Sequence, residues 1–196
     1  MPYINPFKIK QAAAFIQKGG VIAYPTEAVY GLGCHPQNIS AIKKILTIKR
    51  RPWQKGLLLV AGDIGQIEPY ISSQAQSLVR CFEQSYDYPV TWLLPASSLV
   101  SPWLKGEHQQ IAIRLSSNPY IKALCKAADG ALVSTSANRA GQQEIKQAEL
   151  VRSTMGQEVD CVVAGPVGGY DRPSAIIDAQ TKKILRAYKP VLLENA

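Results

Sequence analysis

Histidine is scarce in this 196-residue chain: His35 and His108 are the only two. That argues against a His-built metal site, and against Ser/His or Cys/His nucleophilic catalysis, which needs an imidazole base. Cysteine is sparse too. Cys34, Cys81, Cys125 and Cys161 contain no CxxC pair, so zinc-site and disulfide-framework readings are both weak, and reduced thiols are the default expectation. No stretch approaches the roughly 18 consecutive apolar residues that a membrane span needs. The opening "MPYINPFKIKQ" has no apolar signal core, so the expected location is cytoplasmic, without a membrane partner. Glycine-rich nucleotide fingerprints are missing as well. No GxGxxG opens a helix and no phosphate-binding loop with its terminal Gly-Lys is present, so a nucleotide, if bound, is held some other way.

Acidic residues are outnumbered. Lys and Arg total 22 against 14 Asp and Glu, a net charge of +8 and a pI near 9.4. That balance suits polyanionic partners, either nucleic acid or phosphate-bearing small molecules, without separating them from a merely solvated basic surface. Hydrophobic content of 46% with 18% charged residues is ordinary for a globular protein. A single domain spanning 1–196 is expected, with room for a sizeable core.

Helices and strands alternate along the chain. Asn5-Pro6 reads as an N-cap and first helical proline, and the helix runs to the pair Gly19-Gly20. "VIAYP" follows as a buried strand and empties into "TEAVYGLG", a segment of small and hydrogen-bonding groups that reads as a loop wall. Ser40 is the expected cap of a second helix, with Ile42, Ile45 and Leu46 on one face and Pro52 limiting its end. "GLLLVA" and "PVTWLLP" are strands, separated by a helical stretch at 72–84. "QIAIRL" alternates, with Ile111, Ile113 and Leu115 on one side and Ala112 and Arg114 on the other. Asn118-Pro119 opens another helix, "ALVST" is a strand, a helix follows near 146–154, and then strand "DCVVAG". "SAIIDA", the turn "QTKK" and "ILRAY" make a hairpin. The expected class is α/β (α+β) with a mixed sheet.

Four constellations could carry chemistry. In "KKILTIKRRPWQKG", six basic residues fall in a stretch with no acidic one, between Ala28 and Gly62. Lys49 and Arg51 either complement the helix dipole or clamp a triphosphate. Arg114 is the lone cation on one side of its strand; it faces solvent on an edge or receives a carboxylate or phosphate. In "STSAN", Ser134, Ser136 and Asn138 form a hydrogen-bonding row at a strand's carboxyl end, where open α/β sheets bind ligands, or a turn segment. "RPSAIID" puts Ser174 at the mouth of a strand, with Arg186 across the hairpin, after the glycine-rich "GPVGGY".

Taken in order, "AYPTEAVYGLG", "KRRPWQKGL", "PVT", "AIRL", "STSAN" and "PSAIID" resemble the TsaC/YrdC family of threonylcarbamoyl-AMP synthases, in its short bacterial form, over about 10–188. The resemblance implies a YrdC/RibB-like fold, a twisted mixed sheet flanked by helices around a positively charged cavity. It implies a reaction in which L-threonine, bicarbonate and ATP give L-threonylcarbamoyladenylate, pyrophosphate and water, for the t6A modification of tRNA at position 37. TsaD, TsaB and TsaE are the partners it implies, and Mg²⁺ would accompany ATP. Carried over by motif, Lys49 and Arg51 hold the ATP phosphates and are solvent-reachable. Thr26, Arg114, Ser134 and Ser174 face threonine, and Ser136, Asn138 and Arg186 face ATP.

This chain departs from the family wording at Tyr88, just before "PVT", and at Tyr188, both where glycine is common, and at Arg139-Ala140 after "SAN". Those departures keep a YciO-like paralogue with another substrate in view, although "PTEAVYGLG" favours the synthase. A module binding double-stranded RNA or tRNA is the other alternative, motivated by the charge.

Overall fold

The computed structural model describes residues 4–188. Helix α1 (Pro6–Gln17) starts where the Asn5 side chain accepts from the amides of Phe7 and Lys8, as the Asn-Pro pair predicts. Strands β1 (Ile22–Pro25) and β2 (Tyr30–Cys34) follow, paired antiparallel with Ala23 opposite Leu32. The second half of the segment expected to be a loop wall is therefore strand, and Thr26–Val29 forms the turn into it. Helix α2 (Ile39–Lys49) is capped by Asn38, not Ser40: the Asn38 Oδ1 accepts from Ala41 N at 2.9 Å. It ends at Arg50 in the left-handed conformation, φ 50°.

The rest of the chain builds β3 (Leu58–Ala61), β4 (Val90–Pro95), the short helix α3 (Pro102–Lys105) and β5 (Gln110–Leu115). Helix α4 (Pro119–Ala127), β6 (Leu132–Ser136), helix α5 (Ala148–Met155), β7 (Cys161–Val162), β8 (Ala175–Asp178) and β9 (Ile184–Arg186) complete it. The predicted helical stretch after residue 72 is a 3-10 helix, Ser73–Glu83. The strand expected over "DCVVAG" is only two residues long.

Nine strands form one mixed sheet in the order β7-β1-β2-β6-β3-β5-β4-β8-β9. Strands β3 and β5 are parallel, as are β4 and β8, while β6 runs antiparallel to both of its neighbours. Successive side chains on a strand point to opposite faces, and the two faces have different tasks. One carries Leu32, Leu59, Trp92, Ile111, Ile113, Val133 and Ile177, packed with Ile42, Ile45 and Leu46 of α2 into the larger core. The other is divided. Ile22, Tyr24, Val60 and Leu132 are covered by α1 and α4 in a second core. Gly31, Leu58, Thr91, Ala112, Arg114 and Ser134 lie on the same face beyond those helices and line an open cavity instead.

Candidate active site

The cavity holds about 470 Å³ and draws its walls from the uncovered sheet face, the turn after β1, the segment between α2 and β3, the end of α3 with the loop after it, the loop before β8, and the β8–β9 hairpin. Arg114 stands on β5, between β3 and β4, so an edge position is excluded. Its Nη2 lies 3.4 Å from Glu27 Oε2, and both side chains are nearly buried. Glu27 is itself held by Ser116, whose hydroxyl donates to Oε1 at 2.5 Å. Two buried side-chain atoms in the described residues have no hydrogen-bond partner, Glu27 Oε2 and Arg114 Nε. One is an acceptor and the other a donor, and both residues line the cavity. Leaving such groups unpaired costs about 1–3 kcal/mol each, a cost that a bound ligand with matching groups removes.

The hydroxyls around that pair are already oriented. Thr26 Oγ1 donates to Val29 O at 2.7 Å, so what it offers a ligand is lone pairs. Ser134 Oγ accepts from the Tyr24 hydroxyl at 2.8 Å, which leaves its own proton to donate. Tyr24 is fully buried, and burial pushes its phenol far above the usual range, so it remains a neutral donor. Ser174 Oγ and Thr91 Oγ1 are 2.7 Å apart, and Arg186 Nε donates to Ser174 O at 2.9 Å. Partial desolvation first, and then the charge of Arg114, pull the Arg186 pKa downward. The two guanidinium groups thus feel one another, and an anion near both would relieve them.

Cations gather at the other end. Strand β5 rises about 3.3 Å per residue, so Gln110 lies roughly 13 Å along it from Arg114. Beside Gln110 the lining includes the cations Arg51, Lys55 and Lys105, along with the His108 imidazole. Arg51 is fixed there by Gly56 O, which accepts from Nε at 3.0 Å and Nη2 at 2.9 Å.

Seven of the nine predicted site residues line this one cavity: Thr26, Arg51, Arg114, Ser134, Ser136, Ser174 and Arg186. Lys49 and Asn138 stand behind the wall. The expectation that Lys49 is solvent-reachable does not hold, for it is 5% exposed. Its ammonium donates to Ser136 O at 2.5 Å and to Asn138 O at 2.8 Å, with Asn138 Oδ1 at 3.2 Å. Ser136 Oγ in turn donates to Asn138 Oδ1 at 2.6 Å. Lys49 therefore organises the "STSAN" segment from below. Desolvation, then the charge of Arg51, lower its pKa to about 8.

Sequence reasoning left Glu27 without a role and missed Lys105 and His108. A carboxylate inside "PTE" was a visible signal, but its pairing with Arg114 joins residues 87 positions apart, as 114 minus 27 shows. Nothing local marks Lys105 and His108. Asp178, the other motif carboxylate, caps the β8–β9 turn, accepting from the amides of Gln180 and Thr181.

Residues 14–187 match the family model named for Sua5, YciO and YrdC, whose description reads "Telomere recombination". The chain belongs to the Sua5/YciO/YrdC family. This Sua5/YciO/YrdC member is 40% identical over 185 residues to the threonylcarbamoyl-AMP synthase of Halorhodospira halophila, covering 94% of this chain and 97% of that one. It is 44% identical over 184 residues to the protein of the same name from Alkalilimnicola ehrlichii, covering 92% and 96%. Among solved structures, P. abyssi Sua5 complexed with L-threonine superposes with a TM-score of 0.82 at 27% identity, covering 90% of this chain. The chain spans about half of that Sua5 chain, 52%. E. coli YciO superposes at 0.77 with 26% identity, covering 95% of this chain and 91% of its own. The mixed α/β architecture of this family member is thus the one those structures share.

Proposed function

We propose that this chain is a threonylcarbamoyl-AMP synthase, a nucleotidyltransferase that converts L-threonine, bicarbonate and ATP to threonylcarbamoyl-AMP, pyrophosphate and water. The observation that carries this reading is the buried Arg114–Glu27 pair at one end of the cavity, in which one atom of each side chain has no hydrogen bond. Arg114 Nε and Glu27 Oε2 present a donor and an acceptor side by side, the complement of an α-amino acid's carboxylate and ammonium. Relatives at 40–44% identity bear the synthase name. The cation-lined far end fits a polyphosphate.

In this reading Arg114 takes the threonine carboxylate. Glu27 and the Thr26 lone pairs take the ammonium, and Ser134 donates to the substrate. The amine, once deprotonated, attacks bicarbonate or CO2 and forms a carbamate. A carbamate oxygen then attacks the α-phosphorus and pyrophosphate leaves. The protein's contribution is positioning together with charge neutralisation of the departing group by Arg51, Lys55 and Lys105. In the described residues, no three His, Cys, Asp or Glu side chains converge into a metal cage. Glu144 and Asp171 do line the cavity; these carboxylates would help to hold an Mg²⁺ accompanying ATP, which would screen phosphate charge. The product is a mixed anhydride that a partner must consume. TsaD, with TsaB and TsaE, is the proposed route to tRNA adenosine 37.

The test is pyrophosphate release that depends on threonine, with ATP and bicarbonate present and Mg²⁺ varied. Release independent of threonine, or none at any Mg²⁺ concentration, would sink the reading. A screen of other amino acids tests the paralogue alternative: preference for any but threonine moves the assignment there. Glu27→Gln keeps the acceptor but removes the charge, and is expected to raise the threonine KM about tenfold or more while the ATP KM stays within twofold.

A further inference from the structure

Tyr88 and Tyr188 have no part in the chemistry described above, yet the fold brings them face to face. Their rings stack with centroids 4.8 Å apart and planes within 2°. Tyr170 meets the Tyr188 ring edge-on at 6.5 Å, and Tyr86 packs against Tyr88 at 5.5 Å. The Tyr188 hydroxyl donates to Asp171 Oδ1 at 3.2 Å. Three separate segments are tied together in this way: the approach to β4, the loop before β8, and the chain just past β9. Pro89, next to Tyr88, and Asp171 both line the main cavity. On the other side, Tyr86, Tyr88 and Tyr170 line a second hollow of about 340 Å³ that shares Glu27 and Pro89 with the first.

Beyond the stack, strand β9 is held by a short ladder and by Arg186, whose Nε donates to Ser174 O at 2.9 Å. The strand is three residues long, exposed throughout, and at the sheet edge. Its ladder to β8 consists of Ile176 opposite Arg186 and Ile177 opposite Ile184, with a register shift between them. The near end of the hairpin is held by Lys182, whose ammonium sits 5.3 Å from the Trp92 ring centroid. The far end, which follows Arg186, has the tyrosine stack. A ladder this short opens easily unless something beyond its hydrogen bonds fastens it.

We propose that Tyr88 and Tyr188 are positioning residues, an aromatic clasp that keeps β9 on β8 so that Arg186 stays on the cavity wall for the nucleotide. The clasp acts through Arg186 and touches no substrate. A stacked pair shifts an equilibrium by roughly two- to tenfold beyond its area burial, and effects of that size are expected. The consequence for ATP rests on the synthase reading; the fastening of β9 does not.

The experiment uses the full chain with Tyr88→Leu, Tyr188→Leu, the double variant, and Tyr188→Phe, which keeps the stack. Amide hydrogen exchange at Ile184–Arg186 is read first. Several-fold faster exchange is expected in both leucine variants and the double, and near wild-type exchange in Tyr188→Phe. Threonine-dependent pyrophosphate release is read second. The ATP KM is expected to rise about three- to tenfold in each leucine variant, with kcat within twofold, and no further in the double variant. Unchanged exchange, additive losses in the double variant, or faster exchange with an unchanged ATP KM would each overturn the clasp. A wild-type chain with no threonine-dependent release instead removes the synthase reading, and exchange at β9 then decides the fastening alone.

Discussion

Lys49 is a buried cation whose near partners are neutral oxygens: two carbonyls, one amide and one hydroxyl. Desolvation and then the charge of Arg51 outweigh the opposing charge of Glu144, so its pKa falls from the ordinary 10.5 to about 8. The sign of the stability effect follows. Below about pH 8 both the folded and unfolded chain hold this proton. From about 8 to 10.5 the unfolded chain holds more of it, so this residue's contribution to the unfolding free energy rises with pH. Activity should move the opposite way, because the neutral amine, with two donors in place of three and no charge, ties Ser136 to Asn138 more weakly. Pyrophosphate release by the wild type is expected to fall as pH passes about 8, and Lys49→Arg is expected to move that limb upward. A pH–rate profile of the two proteins checks this; identical limbs would remove Lys49 as the titrating group. Since Lys49 supports a loop as well as charge, Arg51→Ala is the cleaner probe of phosphate contact.

At the scale of elements, β2 is the case that propensity hides. "YGLGC" has two glycines in five residues, and glycine is a poor strand former on its own. The glycines are there because neighbours press on the backbone. A Cβ on Gly33 would stand 2.7 Å from the Tyr24 ring and 2.8 Å from Val133 O, and one on Gly31 would stand 2.9 Å from Thr26 Cγ2. Gly33→Ala therefore pushes against a carbonyl of the adjacent strand, which cannot swing aside as a side-chain tip can. It should destabilise the fold by about 1–3 kcal/mol, read as a lower urea midpoint with the slope unchanged. Helix α2 shows a smaller gap between pattern and fold. Ser40 and Asn38 are both good caps by type, and the choice between them is made by where the chain leaves β2.

At the scale of the molecule, one sheet supplies a core with one face and a reaction vessel with half of the other. The cavity joins residues from Thr26 to Arg186, so any ligand bound across it stabilises the whole domain. At one hundred times its dissociation constant a ligand should add about 2.7 kcal/mol to the unfolding free energy. Thermal melts should show ATP and threonine each raising the midpoint. Arg51→Ala should abolish most of the ATP shift and spare that of threonine, and Arg114→Ala should do the reverse. Equal loss of both shifts in either variant would contradict the two-ended cavity.

The alternation of apolar runs, the Asn-Pro helix starts and the strand periodicity of "QIAIRL" are local interactions, so the sequence by itself determined most of the elements and the mixed α/β class. Ordered motifs placed seven residues on what proved to be one cavity wall. Tertiary structure decided what no local pattern encodes. It set Arg114 on an inner strand against Glu27, sank Lys49 beneath "STSAN", brought Lys105 and His108 to the cation end, and stacked Tyr88 on Tyr188. Each of those depends on strand order and register, which bring together residues distant in the chain. Burial, pairing and pKa depend on such neighbours.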